Sequence, residues 1–229
     1  RLDLDTVDGQ RLVLESTHDV TQRQALQARQ QLLLGELTHR VKNTLAVVQA
    51  IAHQTELSSR SPSDFVERFS GRLAALAHAH GLLVQSEWRG ADLAALTRVQ
   101  LQAYAGAHAN RLRIHGPAVS LPPELATPFG LVLHELATNA SKYGALAQPS
   151  GQVSVTWEAP RTNGRQRVRL VWRETGATAP HTPVEGGLGS NLIDHAIPGA
   201  KVKRDFQEDG LMCTIELALP DDHDGEARL

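Results

Sequence analysis

The sequence predicts an α+β protein in which a helical hairpin precedes an α/β sandwich. Residues 21–58 contain no proline and a single glycine, and their apolar residues recur at helical spacing. From residue 92 onward, helix signals alternate with short segments of alternating apolar and polar residues, which are typical of strands. The chain has 229 residues, 41% of them hydrophobic, which is enough for the cores of one large or two modest domains.

Charge and cysteine content exclude several classes of protein. Lys and Arg number 23 against 25 Asp and Glu, so we expect no nucleic-acid partner. The only cysteine, Cys213, excludes an internal disulfide and fits a reducing compartment, which predicts a cytoplasmic location. No apolar run is long enough to span a bilayer, and no signal peptide is visible. The chain begins with Arg1, and we expect it to be a piece of a longer protein.

The first twenty residues predict a β-hairpin. Leu2, Leu4, Leu12 and Leu14 alternate with polar residues around an Asp8-Gly9 turn. We interpret residues 1–20 as the tail of another domain.

Two helices follow, and we assign residues 21–87 to one helical-hairpin domain. The second helix has a start signal in Ser61 as N-cap, Pro62 at the first helical position and Asp64 two residues later. The first helix carries an apolar stripe of Leu34, Leu37, Val41, Leu45, Val48 and Ala52. The predicted buried face of the second helix is Phe65, Phe69, Leu73, Leu76, His80 and Leu83. A lone hairpin has a thin core, so we expect two copies to form a four-helix bundle. A preceding sensor domain that covered the same face would instead leave a monomer.

Residues 88–229 predict the α/β sandwich. The expected helices are one from Asp92, one over 122–143 and a short one over 190–196; the expected strands cover 111–115, 152–158 and 165–174, followed by a hairpin over 201–219 with its turn at Asp209-Gly210.

The helix over 122–143 carries the most informative polar residues. At 100° per residue, Glu135, Asn139 and Lys142 share a narrow sector, separate from an apolar stripe of Leu125, Phe129, Val132, Leu136 and Ala140. One face therefore packs, and the adjoining face is expected to be free for a ligand. The oxygens of Glu135 and Asn139 are ligands that Mg²⁺ prefers, and a lysine suits phosphate, so the set predicts a Mg-ATP site. A solvated helix with scattered polar residues would show the same pattern.

His39 lies on the side of the first helix opposite its apolar stripe, so we expect it to be exposed. An accessible neutral imidazole is a competent nucleophile near pH 7. Taken alone, a solvated helix histidine with no function is the simpler interpretation.

Glu174 ends an inward-facing row of the strand over 165–174. A buried carboxylate needs donors, and the exocyclic amine of adenine is one candidate. An arginine or nearby backbone amides would serve equally well. Gly176 follows, and then Gly186–Gly189 precede a helix, as in many phosphate-binding loops and many flexible ones.

Taken together, these segments resemble the HWE family of bacterial sensor histidine kinases from about residue 34 to residue 220. The stretch from Glu36 to Ala46 is similar to the phosphoacceptor box, with His39 as the phosphorylated residue. The stretch from His134 to Leu146 is similar to the N-box, Trp172-Arg173-Glu174 to the W-x-E signature, and Gly186 to Ile193 to the second glycine box.

The resemblance implies a Bergerat (GHKL-type) ATP-binding sandwich after a hairpin for dimerisation and phosphotransfer, with residues 1–20 closing a PAS-like sensor domain. It implies a histidine kinase that uses Mg-ATP to phosphorylate His39 and passes the phosphoryl group to an aspartate of a response-regulator receiver domain. The implied nucleotide-binding residues are Asn139, Lys142, Tyr143, Trp172, Glu174, Gly176, Gly187, Leu188 and Gly189.

The sequence departs from the commoner histidine kinases in one respect, because Arg40 follows His39 where they have an acid. Arginine cannot act as a base, so Arg40 is expected to balance phosphate charge. Glu135, His134 and water remain as candidate proton acceptors. Two other functions stay open: a dimeric nucleotide-binding module without phosphotransfer, and a phosphatase or ATPase of the same fold.

Overall fold

The computed structural model describes residues 2–7, 10–15, 21–105, 109–162, 165–177 and 188–220. Residues 1–50 and residues 51–229 form two compact units. In the part of the chain that is described, no helix combines the length and apolar character needed to cross a membrane.

The first unit contains a hairpin and most of a long helix. Strands β1 (Leu2–Val7) and β2 (Gln10–Glu15) pair antiparallel, as predicted. The predicted Asp8-Gly9 turn lies outside the described residues. Helix α1 (Thr21–Ser58) confirms the predicted helix. Four residues of its apolar stripe are half or more exposed in the single chain: Leu34, Leu37, Val41 and Leu45.

Helix α2 (Pro62–Gln85) opens the second unit with the predicted cap. The hydroxyl of Ser61 accepts a hydrogen bond from the backbone amide of Asp64 at 3.2 Å. The predicted buried face is only partly right, because Leu73 is 40% exposed while Leu76 and Leu83 are buried. The buried residues of α2 are Arg72, Ala75, Leu76, Ala79 and Leu83. The small side chains of Ala75 and Ala79 leave room for the helix that packs against this face.

The remaining helices surround helix α4 (Pro123–Lys142). It packs against α2, against α3 (Leu93–Ala105) and against α5 (Leu188–His195). The predicted apolar stripe is confirmed, since Leu125, Phe129, Val132, Leu136 and Ala140 are all buried. Asp92 caps α3 by accepting a hydrogen bond from the amide of Ala95 at 2.7 Å.

A mixed sheet provides the other layer of the core. Its strands are β4 (Leu112–His115), β6 (Gln152–Glu158), β8 (Arg165–Thr175), β9 (Lys201–Gln207) and β10 (Gly210–Ala218). Their spatial order is β4-β6-β8-β10-β9, with β4 and β6 parallel and the other neighbours antiparallel. One face of β8 is buried through Val168, Leu170 and Trp172, as the period of two predicted.

Three short strands were not predicted from the sequence. Strands β3 (Ala91–Asp92) and β5 (Ser120–Leu121) pair with each other, and β7 (Arg161–Thr162) pairs with β8. Two-residue strands are too short to show a period, so no sequence pattern marks them.

Candidate active site

A cavity of about 240 Å³ lies beside the face of α4 that carries the predicted nucleotide residues. Helix α4 lines it with His134, Glu135, Thr138, Asn139, Ser141 and Lys142, and Tyr143 follows at the end of the helix. Helix α2 contributes Glu67, Arg68 and Gly71, and α3 contributes Tyr104. The structure therefore brings together the α4 residues that the helical spacing placed in one sector.

Glu135, the first of the three α4 residues predicted to share one sector, is buried and forms an ion pair. Its Oε1 accepts a hydrogen bond from Nε of Arg72 at 2.8 Å, and the two side chains are 9% and 1% exposed. Nη1 of Arg72 also donates to the hydroxyl of Thr55 at 2.9 Å. The expectation that this whole face of α4 is free for a ligand is therefore wrong at Glu135, because α2 packs against it. Proton acceptance and Mg²⁺ binding by Glu135 stay predictions.

Lys142 lies at the C-terminal end of the same face. Its ammonium donates to Oε1 of Glu67 on α2, and the side chains are 35% and 66% exposed. Lys142 also sits in the last turn of α4, where a cation interacts favourably with the helix dipole. Tyr143, at the cap, is 55% exposed, so it is not a core residue.

His134 is held by a small polar network. The hydroxyl of Tyr104 lies 3.3 Å from Nδ1 of His134 and 2.8 Å from the hydroxyl of Thr138. A Cβ on Gly71 would come within 2.9 Å of Nε2 of His134, so the lack of a side chain at residue 71 lets α2 approach the ring. Burial lowers the pKa of His134, which favours the neutral imidazole. Burial likewise raises the pKa of Tyr104.

Glu174 marks a second part of the candidate site, beside the residues that follow α4. It is 3% exposed. Oε2 accepts a hydrogen bond from the amide of Ala145 at 2.9 Å, and Oε1 accepts one from Nε1 of Trp172 at 3.1 Å. A backbone amide is thus one of the partners of Glu174. Backbone amides were one of the alternatives to adenine that the sequence left open for this carboxylate. Trp172 is fully buried, and in this structure it orients Glu174.

The glycine segments are only partly described. Gly176 has a φ of +78°, a left-handed conformation that favours glycine. Gly186 and Gly187 lie outside the described residues. Leu188 and Gly189 form the first turn of α5.

The phosphoacceptor candidate lies in the first unit. His39 is exposed on α1, as predicted, and its Nδ1 is 3.5 Å from the side-chain amide nitrogen of Asn43. Arg40 is half-buried on the same helix.

Sequence reasoning missed the residues of α2 and α3 that contact α4. Glu67 and Tyr104, which line the cavity, and Arg72, which pairs with Glu135, were not predicted, because their partners lie on another helix. The charge of Arg72 inside an otherwise apolar run was a signal, since a buried arginine needs a carboxylate partner.

Comparisons with known proteins find relatives of the same fold. Residues 36–118 match the family model of the HWE histidine kinases. A blue-light-activated histidine kinase of Brucella anthropi is 34% identical over 200 residues, which cover 86% of this chain and 41% of that protein. The corresponding protein of Brucella ovis is 32% identical over 208 residues, which cover 89% of this chain and 42% of that protein. The chain thus spans about two fifths of the length of these curated relatives.

Solved structures show the same fold. The blue-light-activated histidine kinase EL346 of Erythrobacter litoralis matches with a TM-score of 0.57 at 20% identity, over 91% of this chain and 63% of that one. The histidine kinase domain of that protein matches with a TM-score of 0.50 at 18% identity, over 79% of this chain and 94% of that one. The fold is that of a histidine kinase core, a helical region followed by a GHKL-type α+β domain. The chain is therefore similar to the HWE histidine kinases over residues 36–118 and to blue-light-activated histidine kinases over most of its own length.

Proposed function

We propose that this chain is the kinase core of a sensor protein that transfers the γ-phosphoryl group of Mg-ATP to His39. The observation that carries the proposal is the cavity beside α4, where Asn139 and Lys142 line one wall together with Glu135. A lysine ammonium and an amide oxygen are the groups that a triphosphate and its cation require. The match of residues 36–118 to the HWE histidine kinases supports the same function.

The nucleotide would lie between the end of α4 and the region of Glu174. Lys142 would contact phosphate as a point charge, and Tyr143 is exposed beside it. Glu174 already accepts two hydrogen bonds, and we propose that it also recognises the exocyclic amine of adenine. We propose that Gly176, Gly187 and Gly189 contact the nucleotide through their backbone, because glycines permit close approach. Leu188, which lies between two of these glycines in the chain, is proposed to contact it as well.

Magnesium would be held by Asn139 together with phosphate oxygens. Among the residues that the structure describes, no cluster of three or more His, Cys, Asp or Glu could hold a metal ion. One amide oxygen from Asn139 and the phosphate oxygens fit Mg²⁺, which keeps several waters and usually takes one or two protein ligands plus phosphates. Once bound, the ion would neutralise phosphate charge.

In the reaction, an imidazole nitrogen of His39 attacks the γ-phosphorus. The new N–P bond forms as the bond from phosphorus to the bridging β,γ-oxygen breaks, and ADP leaves. The imidazole proton passes to Glu135, to neutral His134 or to water. Most of the rate enhancement comes from positioning and charge neutralisation, to which Lys142 and Arg40 contribute, because the transition state spreads charge over the phosphate oxygens. The phosphoryl group then moves to a receiver-domain aspartate.

The wider organisation is part of the same proposal. Residues 1–20 would end a PAS-like sensor domain, residues 21–87 would form the phosphoacceptor hairpin and residues 88–229 the ATP-binding domain. The exposed leucines of α1 would pack in a homodimer. The partner would be a response-regulator receiver domain, and the protein would act in the cytoplasm.

Labelling with γ-³²P-ATP and Mg²⁺ tests the proposal. Wild type should gain an acid-labile, alkali-stable label, and His39→Ala should lose it. His53→Ala is a matched control, because His53 is an exposed histidine on the same helix, and it should keep the label. ATP hydrolysis without labelled protein would favour an ATPase, and nucleotide binding without turnover would favour a binding module.

A further inference from the structure

Two of the charged residues of helix α2 form ion pairs with residues of α4. Arg72 pairs with Glu135, and Glu67 pairs with Lys142. The order is reversed between the helices, since the residue with the higher number on α2 meets the one with the lower number on α4. The two ion pairs thus hold α2 against the face of α4 that carries the proposed catalytic and phosphate-binding groups.

The buried ion pair between Arg72 and Glu135 fixes the position of α2. Arg72 is 1% exposed and its guanidinium bonds both Glu135 and Thr55, so rotation or sliding of α2 would leave buried charges unpaired. Glu67 lies five residues earlier on the same helix and lines the cavity. The fixed position of α2 therefore keeps the carboxylate of Glu67 beside Lys142.

We propose that Glu67 sets the nucleotide affinity of the site, because its carboxylate holds the ammonium of Lys142 until a phosphate group displaces it. The inference rests on the proposed function, in which Lys142 binds phosphate. Glu67 is an acceptor for the same donor, and both it and Lys142 line the cavity. A triphosphate that reaches Lys142 must break this ion pair and come close to a negative charge.

The effect of the Glu67 charge on nucleotide affinity should be modest. Glu67 is 66% exposed and Lys142 is 35% exposed, and ion pairs at exposed positions are weak. Removing the charge of Glu67 should therefore raise the affinity for a triphosphate by about two- to five-fold. Adenosine has no phosphate to contact Lys142, so its affinity should not change.

Calorimetric titration of the full chain with AMP-PNP and Mg²⁺, and separately with adenosine, tests this. Glu67→Gln keeps the size of the side chain and removes its charge. Glu56→Gln is the matched control, because Glu56 is an exposed acid that does not line the cavity. The Glu67→Gln change is then repeated in a Lys142→Ala background, where its effect should disappear.

The expected result is tighter AMP-PNP binding by Glu67→Gln, unchanged adenosine binding and no change in Glu56→Gln. If wild type binds AMP-PNP and Glu67→Gln binds it equally or more weakly, the inference is overturned and the proposed function stands. An equal gain in the Lys142→Ala background, or in Glu56→Gln, also overturns it, since the effect would then be one of general charge. If wild type binds neither AMP-PNP nor adenosine, both the inference and the proposed function fail.

Discussion

Nε of Arg72 lies 2.8 Å from Oε1 of Glu135, and this buried ion pair joins the second helix of the hairpin region to the helix that carries the proposed nucleotide residues. The pair reaches a third helix through Thr55, whose own hydroxyl donates to the carbonyl of Ile51. Three helices are thus connected through one guanidinium. The contact holds α2 against α4, beside the candidate site.

Removal of Arg72 should be strongly destabilising. Arg72→Met leaves the Glu135 carboxylate buried without its counter-charge, and we expect the free energy of unfolding to fall by about 3–5 kcal/mol. Urea denaturation followed by circular dichroism measures it. In Arg72→Met/Glu135→Leu, much of the loss should be recovered, because neither charge is then buried.

Arg68→Met is the matched control for that experiment. Arg68 is a half-buried arginine on the same helix, and its partner Asp64 lies one turn away in α2. We expect its loss to lower stability by no more than about 1 kcal/mol. Equal losses in Arg68→Met and Arg72→Met would contradict a special role for the buried pair.

Gly144 should tolerate no side chain. A Cβ there would collide with Oε2 of Glu174 and lie 2.8 Å from Cα of Ala140. Gly144→Ala should therefore lower the unfolding free energy by about 1–3 kcal/mol and weaken nucleotide binding, since Glu174 must move. Thermal unfolding and calorimetric titration with ADP measure the two effects. Gly81→Ala serves as the control, because nothing lies within 4 Å of its Cβ position, and it should be neutral or stabilising.

His134 should make the protein less stable in mild acid. Burial is the main cause that lowers its pKa, Arg72 and His78 add to the effect, and Glu135 opposes it. The neutral ring is therefore favoured in the folded state. The contribution of the neutral ring to the free energy of unfolding is complete above the unfolded pKa of about 6.5. This contribution is lost as the pH falls toward the lower pKa of the folded state.

We expect the melting temperature of wild type to fall between pH 7.5 and pH 5.5. His134→Gln should show a smaller fall, while His53→Gln, a change at an exposed histidine, should behave as wild type. Identical pH dependence in all three proteins would count against the buried imidazole as its source.

Cys213 should be chemically inert in the folded protein. The residue is fully buried, and burial raises the pKa of its thiol to about 12. The thiolate, which is the reactive form, is therefore scarce at neutral pH. Ellman's reagent at pH 8 should modify the thiol only on addition of denaturant, and rapid modification of the native protein would show that β10 opens locally.

The elements of the fold could be predicted because their patterns are long. The 38 residues of α1 repeat the helical period enough times to define the type of element, and the alternation in β8 defines both its type and its buried face. The N-cap at Ser61 is similarly local, since its partner lies three residues away. Two-residue strands such as β3 carry no such information.

The candidate site was predictable only on one helix. Spacing placed Glu135, Asn139 and Lys142 in one sector, and the structure brings all three to one cavity. Their partners were not predictable, because Glu67 and Arg72 are 75 and 63 residues away in the chain from the residues they bind. Periodicity describes one helix at a time and contains no information about which charges meet across a helix pair.

One guanidinium also determines how the region around Glu174 is held before any ligand arrives. Arg111 donates to the carbonyls of Ala145, Leu146, Gln148 and Gly151, which follow α4. The amide of Ala145 is the donor to Glu174, so this carboxylate rests on a segment that Arg111 already holds in one shape. The entropy of ordering this segment is therefore lost during folding and not on binding, and the site is preorganised for its ligand.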